Sequence, residues 1–219
     1  MHQLMWFVHL RNGALMTRRA WGTGLLLSCW GLSASILLTI LLFDLGYPLF
    51  LKIWDLPGTL GWTAERLLRQ VDVLMDYLTL PWVTALKFPD LPSSKSGLYH
   101  FLVVKLLFHF CQAVFLGTSI GMITTKPWRW LPSSWYRTWA LLPLGLALLA
   151  VLVGFDQFFI WFHQILFPGD SSWLFDPATD PIILLLPQDA FMLAFICCGI
   201  LYELYFIAWY LYAKRKERR

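Results

Sequence analysis

Charged residues are scarce in this sequence, and their scarcity excludes a protein whose whole surface faces water. Only 14% of the 219 residues are Asp, Glu, Lys or Arg, against about 25% in an ordinary soluble domain. Hydrophobic residues make up 58% of the chain, too many for so few polar side chains to cover. The net charge of +4 is spread over short clusters, which gives no basic face for nucleic acid.

Cysteine is also scarce, and familiar enzyme motifs are missing. Cys29, Cys111, Cys197 and Cys198 all lie within apolar runs, which excludes the disulfide framework of a small secreted domain. The chain has no Gly-x-Ser-x-Gly nucleophile elbow, no His-Glu-x-x-His zinc motif and no Walker loop. The class of protein that these exclusions leave, and that the composition favours, is an integral membrane protein.

Long apolar runs predict that the chain crosses a membrane four times. A transmembrane helix needs about 20 mostly apolar residues, and residues 21–43, 98–123, 140–162 and 190–212 meet that need. The first run continues far beyond Cys29 without a small-residue cleavage site, so we interpret it as an anchor and not as a cleaved signal peptide.

The basic residues predict which segments face the cytoplasm. Eleven of the 17 Lys and Arg residues fall in residues 1–20, 124–139 and 213–219, and basic residues gather on the cytoplasmic side of a membrane. Both termini are therefore predicted to be cytoplasmic. The connections over residues 44–97 and 163–189 are predicted to face outward.

The first outward segment is long enough to form a small helical cap. Thr63 is a candidate N-cap for a helix ending near Leu78. Its apolar stripe, opposite a charged face, consists of Leu67, Val71, Leu74 and Leu78. This pattern predicts an amphipathic helix in the plane of the membrane surface. The predicted fold class is an all-α membrane protein with four transmembrane helices and a small helical extracytoplasmic cap.

Polar residues near the outer ends of the spans are the candidates for chemistry, because they are costly at membrane depth. His100 lies in the first turn of the second span, with Lys105 about a turn and a half deeper. The positive end of the helix dipole favours a neutral imidazole at His100, which can act as a base. The alternative interpretation is an interfacial histidine that hydrogen-bonds only to solvent.

The third span ends in an aromatic run that contains three polar residues. Asp156 and His163 share a helix face but lie about 10 Å apart along the axis, too far to touch. The aromatic residues indicate either the wall of a site or an aromatic belt at the membrane surface. Two Asp-Pro steps follow, in which Asp176 and Asp180 either cap local turns or orient one of the histidines.

Three stretches resemble the signature of one known family. Residues 155–163 read Phe-Asp-Gln-Phe-Phe-Ile-Trp-Phe-His, and residues 173–187 begin Trp-Leu-Phe-Asp-Pro-Ala-Thr-Asp-Pro. The block Gly97-Leu-Tyr-His-Phe101, followed by Lys105, precedes them. Together they resemble the bacterial lipoprotein intramolecular transacylase (Lit) family, over about residues 39–212.

The resemblance implies an enzyme of the bacterial cytoplasmic membrane whose active site faces outward. Such enzymes move the sn-2 acyl chain of a diacylglyceryl-cysteine lipoprotein to that lipoprotein's own N-terminal amine, which gives lyso-form lipoprotein. The implied partners are this substrate and membrane lipid, with no cofactor. The two histidines that carry the chemistry are matched by His100 and His163. Val103 stands where the family has an acidic residue, whose role must be filled elsewhere or be dispensable.

The residues fit the implied reaction. A neutral histidine takes the proton of the attacking amine and a second protonates the departing glyceryl oxygen, and we expect His100 to be the base and His163 the acid. The candidates to support or orient them are Asp156, Asp176, Asp180 and Lys105. The substrate pocket is expected to exclude water, and its candidate residues are Phe101, Phe155, Phe158, Phe159, Trp161, Phe162 and Trp173.

Two other functions stay open from the sequence. One is a metal-dependent membrane hydrolase that uses His100, His163 and either Asp176 or Asp180, although no residues have metal-ligand spacing. The other is a non-catalytic protein that binds lipid or lipoprotein, an alternative that Val103 keeps open.

Overall fold

The chain is helical along most of its length in the computed structural model. The structure describes the backbone of residues 2–129 and 131–219, and the side chains in those ranges except residues 2–20, 127 and 142. The α-helices are α1 His2–Ile53, α2 Leu56–Leu60, α3 Ala64–Thr79, α4 Lys95–Thr125, α5 Ser133–Val153, α6 Phe155–Leu166 and α7 Gln188–Glu217. Short 3-10 helices span Pro127–Arg129 and Pro181–Leu185.

Four of these helices are long and apolar enough to cross a membrane. They are Trp21–Ile53 of α1 and the whole of α4, α5 and α7. The prediction of an all-helical protein with four long apolar helices is therefore confirmed. α1 packs against both α4 and α7, and α5 packs against α7. The direction in which the helices cross the membrane stays a prediction.

The helices extend beyond the predicted spans, and the bounds differ most at two places. α1 continues to Ile53, well past Phe43, and its backbone is helical from His2, although the side chains of the predicted N-terminal segment lie outside the described residues. The apolar run over residues 140–162 is divided at Gly154, which has φ 81° and ψ 147°. Only glycine adopts such a conformation readily, so the aromatic run forms a separate helix, α6.

The amphipathic helix predicted after Thr63 is confirmed as α3. The hydroxyl oxygen of Thr63 accepts a hydrogen bond from the backbone N–H of Arg66 at 3.3 Å, as an N-cap does. Leu67, Val71 and Leu74 are each only 1% exposed. Because this stripe packs in a core shared with α1 and α4, it binds the protein itself and not the membrane surface.

Candidate active site

The two histidines selected from the sequence lie side by side. His100 is in the second turn of α4 and His163 is in the last turn of α6. Their ring centroids are 6.1 Å apart and the ring planes are inclined by 31°. Both side chains are buried, with 6% and 8% of their surface exposed. Two buried imidazoles at this separation can act on the same bound molecule.

The hydrogen bond made by His163 fixes its tautomer. Nδ1 of His163 lies 2.8 Å from the carbonyl oxygen of Phe159, one turn earlier in α6. A carbonyl oxygen only accepts, so Nδ1 carries the hydrogen and Nε2 of the neutral ring carries the lone pair. Burial lowers the pKa of His163, against the opposing effect of this hydrogen bond. At neutral pH the ring is therefore uncharged, with Nε2 ready to accept a proton.

Aromatic rings surround the imidazole of His100. The imidazole makes no hydrogen bond to a described residue. Its centroid lies 4.9 Å from that of Phe167 and 5.4 Å from that of Phe175, which it meets edge to face. Nδ1 of His100 is buried without a hydrogen-bond partner among the described residues. An unsatisfied buried polar atom costs about 1–3 kcal/mol. A bound molecule with a polar group at this nitrogen would recover that cost.

Three of the predicted pocket residues contact His163. The ring of Phe159 lies 4.2 Å from the imidazole, and that of Phe162 lies 5.5 Å away. Trp173 stacks on the imidazole at 4.8 Å with the planes inclined by 27°. These contacts surround His163 with apolar surface.

The other four predicted pocket residues lie farther from the space between the imidazoles. Phe155 and Phe158 pack edge to face on Phe195 of α7, at 5.9 and 5.4 Å. Trp161 is 39% exposed. Phe101 is buried in the core beneath the site. Phe155 and Phe158 therefore hold α6 against α7, and Phe101 supports the α4 turn that carries His100.

Two aromatic residues of the site were missed in the sequence analysis. Phe167 contacts both imidazoles, at 4.9 Å from His100 and 5.7 Å from His163. Phe175 contacts His100. It lies inside the Trp-Leu-Phe-Asp-Pro stretch that carries the family resemblance, so the sequence did contain a signal that could have selected it. Phe167 follows the end of α6 and has no periodic pattern that would have selected it.

Asp180 binds the start of α4 and not a histidine. Its Oδ1 accepts a hydrogen bond from the backbone N–H of Ser94 at 2.7 Å, and its Oδ2 accepts one from the hydroxyl of Thr179 at 2.9 Å. A short 3-10 helix follows Asp180, but the aspartate side chain makes no cap bond to it. The buried carboxylate instead ties the loop that carries Trp173 and Phe175 to the helix that carries His100.

The two other predicted carboxylates have partners outside the histidine pair. Asp156 accepts a hydrogen bond from the side chain of Gln188, at the start of α7. Asp176 is exposed and closes its own turn by accepting the backbone N–H of Ala178 at 2.9 Å. Neither contact orients an imidazole.

Lys105 joins α4 to the end of α3. Its Nζ donates to the carbonyl oxygens of Leu80, at 3.2 Å, and Val83. The same ammonium group lies 4.4 Å from the centroid of the Tyr77 ring, a distance typical of a cation–π contact. Lys105 therefore supports the predicted cap and does not reach the histidines through a hydrogen bond.

The ligand set of the metal-dependent alternative is not assembled. Among the side chains that the structure describes, no three His, Cys, Asp or Glu residues are grouped so that they could hold a metal ion. Asp180 is engaged with Ser94, and Asp176 with its own turn. No observation in this structure favours that alternative.

Gly97 allows the close approach of Asp180, which gives a test of this contact. A Cβ atom at Gly97 would lie 2.3 Å from Oδ1 of Asp180 and 3.0 Å from the ring of Phe175. Gly97→Ala is therefore expected to lower the free energy of unfolding by about 1–3 kcal/mol, as overpacking does. Thermal unfolding in detergent measures the effect. Gly117→Ala on the same helix meets nothing within 4 Å and should be neutral or slightly stabilising; equal shifts in both variants would contradict the contact.

Known proteins resemble this chain in sequence and in structure. Residues 22–192 match the family model described as lipoprotein intramolecular transacylase Lit. A solved structure of the membrane integral lipoprotein intramolecular transacylase Lit from Bacillus cereus is 24% identical, with a TM-score of 0.79 over 94% of this chain and 99% of that one. A comparison with curated proteins found no match.

Two further structures of the Bacillus cereus protein each carry a substitution of one histidine. The arginine variant is 26% identical, with a TM-score of 0.71 over 96% of this chain and 98% of that one. The alanine variant is 25% identical, with a TM-score of 0.69 over 94% and 99% of the two chains. The fold of the present chain is thus that of an integral membrane protein.

Proposed function

Because the chain belongs to the lipoprotein intramolecular transacylase Lit family, we propose that it transfers an acyl chain within a single lipoprotein molecule. The substrate is a diacylglyceryl lipoprotein with a free N-terminal amine, and the sn-2 acyl chain moves to that amine to give the lyso form. The observation that carries the proposal is the pair of buried imidazoles, 6.1 Å apart, at one end of the apolar helices.

His163 acts as the general base in this proposal. The lone pair at Nε2, left free by the bond from Nδ1 to Phe159, takes a proton from the amine as the amine attacks the ester carbonyl. This reverses the roles expected from the sequence, where the helix dipole favoured His100 as the base. The hydrogen bond to Phe159 is the observation that favours the reversal.

His100 supplies the proton that the leaving group needs. Both histidines start neutral. The proton that His163 takes from the amine passes to His100, and His100, now protonated, gives a proton to the glyceryl oxygen as the tetrahedral intermediate collapses. The ester C–O bond breaks, the amide C–N bond remains, and both histidines are neutral again. Holding the amine and the ester of one substrate together gives the high effective concentration that such a transfer uses.

The aromatic walls favour transfer over hydrolysis. Phe159, Phe167 and Trp173 cover the imidazoles with apolar surface. Water competes with the amine for the ester, and excluding it also strengthens the electrostatic interactions within the site.

The site is proposed to face outward from the bacterial cytoplasmic membrane. His100 is near the start of α4, whereas the basic segment with Lys126 follows its end. The same basic segment precedes α5, and His163 lies beyond the opposite end of α5. The basic tail follows at the end of α7. Because basic segments gather on the cytoplasmic side, the end that carries the histidines is assigned to the other side.

A reporter lipoprotein tests the proposed function directly. The reporter is expressed in cells that make only diacylglyceryl lipoproteins, with and without this protein, and its N-terminal peptide is fragmented in a mass spectrometer. With the protein, we expect one acyl chain on the amine and one on the glycerol at unchanged total mass. An unaltered diacylglyceryl peptide, with the protein present in the membrane, would contradict the proposal and favour a binding-only member of the family.

A further inference from the structure

A groove with a free volume of about 210 Å³ lies between α1, α3 and α4. Its residues are distinct from those around the two imidazoles. Leu41, in its wall, is 50% exposed, so the groove opens to the surface of the protein. Apolar cavities of about 150 Å³ bind small hydrocarbons, so this groove has room for part of an acyl chain. Its apolar wall consists of Leu37, Ile40, Leu41, Met75 and Phe108.

Asp44 lines one end of this groove, at the edge of the hydrocarbon region. The apolar part of α1 begins at Trp21, shortly after two arginines. Asp44 follows 23 residues later, about 35 Å along the helix, whereas a hydrocarbon core is about 30 Å thick. Leu37 lies about 10 Å deeper on the same helix. The groove therefore suits an amphiphile with its chain inside and its polar end at Asp44.

Two further carboxylates lie on the α3 side of the groove. Asp72 and Asp76 are exposed and stand one turn apart, beside the α3 residues that line it. Partial burial and the charge of Asp76 raise the pKa of the Asp72 carboxyl. The ion pair that described side chains form lies elsewhere, between Arg66 and Asp90. The three carboxylates therefore have no described cation to neutralise them, and a bound cation would relieve their repulsion.

The lining is poorly suited to a phosphate group. None of the residues that line the groove is Lys or Arg. Its uncharged polar side chains are engaged: Gln112 donates to the carbonyl oxygen of Thr79 at 3.0 Å, and the Thr79 hydroxyl donates to that of Met75 at 2.7 Å. A phospholipid would bring its phosphate close to Asp44 without a charged partner. A lipid with an ammonium group and no phosphate fits the groove better.

We infer that the groove binds the diacylglyceryl-cysteine end of the unreacted substrate, with an acyl chain along Leu37 and Ile40 and the N-terminal ammonium at Asp44. The inference rests on the proposed function, which supplies this substrate. An α-amine has a pKa of about 7.7–8 and is charged at neutral pH. The lyso product carries an uncharged amide at the same nitrogen. The groove therefore distinguishes substrate from product by charge.

A photoreactive analogue of the substrate tests where the lipid binds. It is a dialkylglyceryl-cysteine peptide of uncharged residues, with ether bonds that the wild-type protein cannot transfer and a benzophenone on one alkyl chain. The protein is irradiated in lipid nanodiscs, and labelled peptides are identified by mass spectrometry. We expect labelling within residues 37–41 and at Phe108. The N-acetyl analogue, which has no charge, should label them about fivefold less, the upper range for a partly exposed ion pair.

Asp44→Asn removes the charge and keeps the shape of the groove. Labelling by the free-amine analogue is expected to fall about two- to fivefold, with labelling by the N-acetyl analogue unchanged. Replacing Asp72 and Asp76 by asparagine as well should remove the difference between the analogues. The matched control is Asp176→Asn, an exposed carboxylate outside the groove, which should label as the wild type does. Equal labelling of Asp44→Asn and Asp176→Asn by the free-amine analogue would overturn the inference.

Phosphatidylethanolamine with the same benzophenone chain is the third probe. Its ammonium lies beyond a phosphate, so we expect it to label the groove no more than the N-acetyl analogue does. Labelling equal to that of the free-amine analogue would show a phospholipid site and overturn the inference. Conversion of the reporter lipoprotein without preferential labelling of the groove overturns this inference alone, whereas failure to convert the reporter overturns the proposed function.

Discussion

Replacing His163 by alanine is expected to slow acyl transfer by about 10²–10⁴-fold, the usual contribution of a positioned general base. The alanine variant loses the lone pair at Nε2 that the bond to Phe159 leaves free. The measurement is the rate at which lyso-form reporter accumulates with purified protein in lipid. His109→Ala is the matched control, because His109 is another imidazole on α4, nine residues beyond His100, and its buried Nε2 has no hydrogen-bond partner among the described residues.

The pH dependence gives a second check on His163. Burial holds the pKa of His163 below the ordinary histidine value, and a base must be uncharged to accept a proton. The substrate's α-amine titrates at about pH 7.7–8, so both the wild type and His163→Ala should slow as the pH falls through that range. Below the ordinary histidine pKa the wild type should lose further rate, as the His163 ring gains a proton, and His163→Ala should lack this additional loss. The same additional loss in the variant would contradict the role of His163.

Replacing His100 by alanine is expected to have an effect of similar size, about 10²–10⁴-fold. The glyceryl oxygen then leaves without a proton donor. The truncation also removes a buried ring that packs on Phe167 and Phe175, so the thermal midpoint is expected to fall, and the rate is therefore measured at a temperature where the variant stays folded. The same reporter assay measures the rate.

The double variant shows whether the two histidines act in one step. Residues that act as a unit give effects that do not add. We expect the His100→Ala, His163→Ala protein to be no slower than the slower single variant. Effects that multiply would contradict a shared transition state and would place the two imidazoles in separate events.

Local composition was enough to predict much of the fold. Four apolar runs predicted four long helices, and Thr63 followed by a periodic stripe predicted α3, because both signals lie within the residues that form the element. The break at Gly154 was missed because the hydropathy of a run reports its composition and not a backbone angle. Whether the apolar stripe of α3 packs on the protein or lies on the membrane surface depends on tertiary packing, which sequence periodicity does not determine.

The site was less predictable, since its contacts join distant parts of the chain. The pairing of His100 with His163 followed from the family resemblance and not from spacing. Asp180 was selected as a residue type, but its partner Ser94 lies 86 positions away and left no local trace. α4 also has Val103 where the family resemblance led us to expect an acid.

The break at Gly154 also links the site to the thickness of the bilayer. α5 has 21 residues, a length of about 31 Å, close to the roughly 30 Å of a hydrocarbon core. Because α6 begins at Phe155, directly after Gly154, the depth of His163 follows the Val153 end of α5, whereas His100 is carried by the longer α4. Hydrophobic mismatch tilts or shifts the two helices by different amounts. Lipid chain length is therefore expected to alter the alignment of the two imidazoles, and with it the rate of transfer.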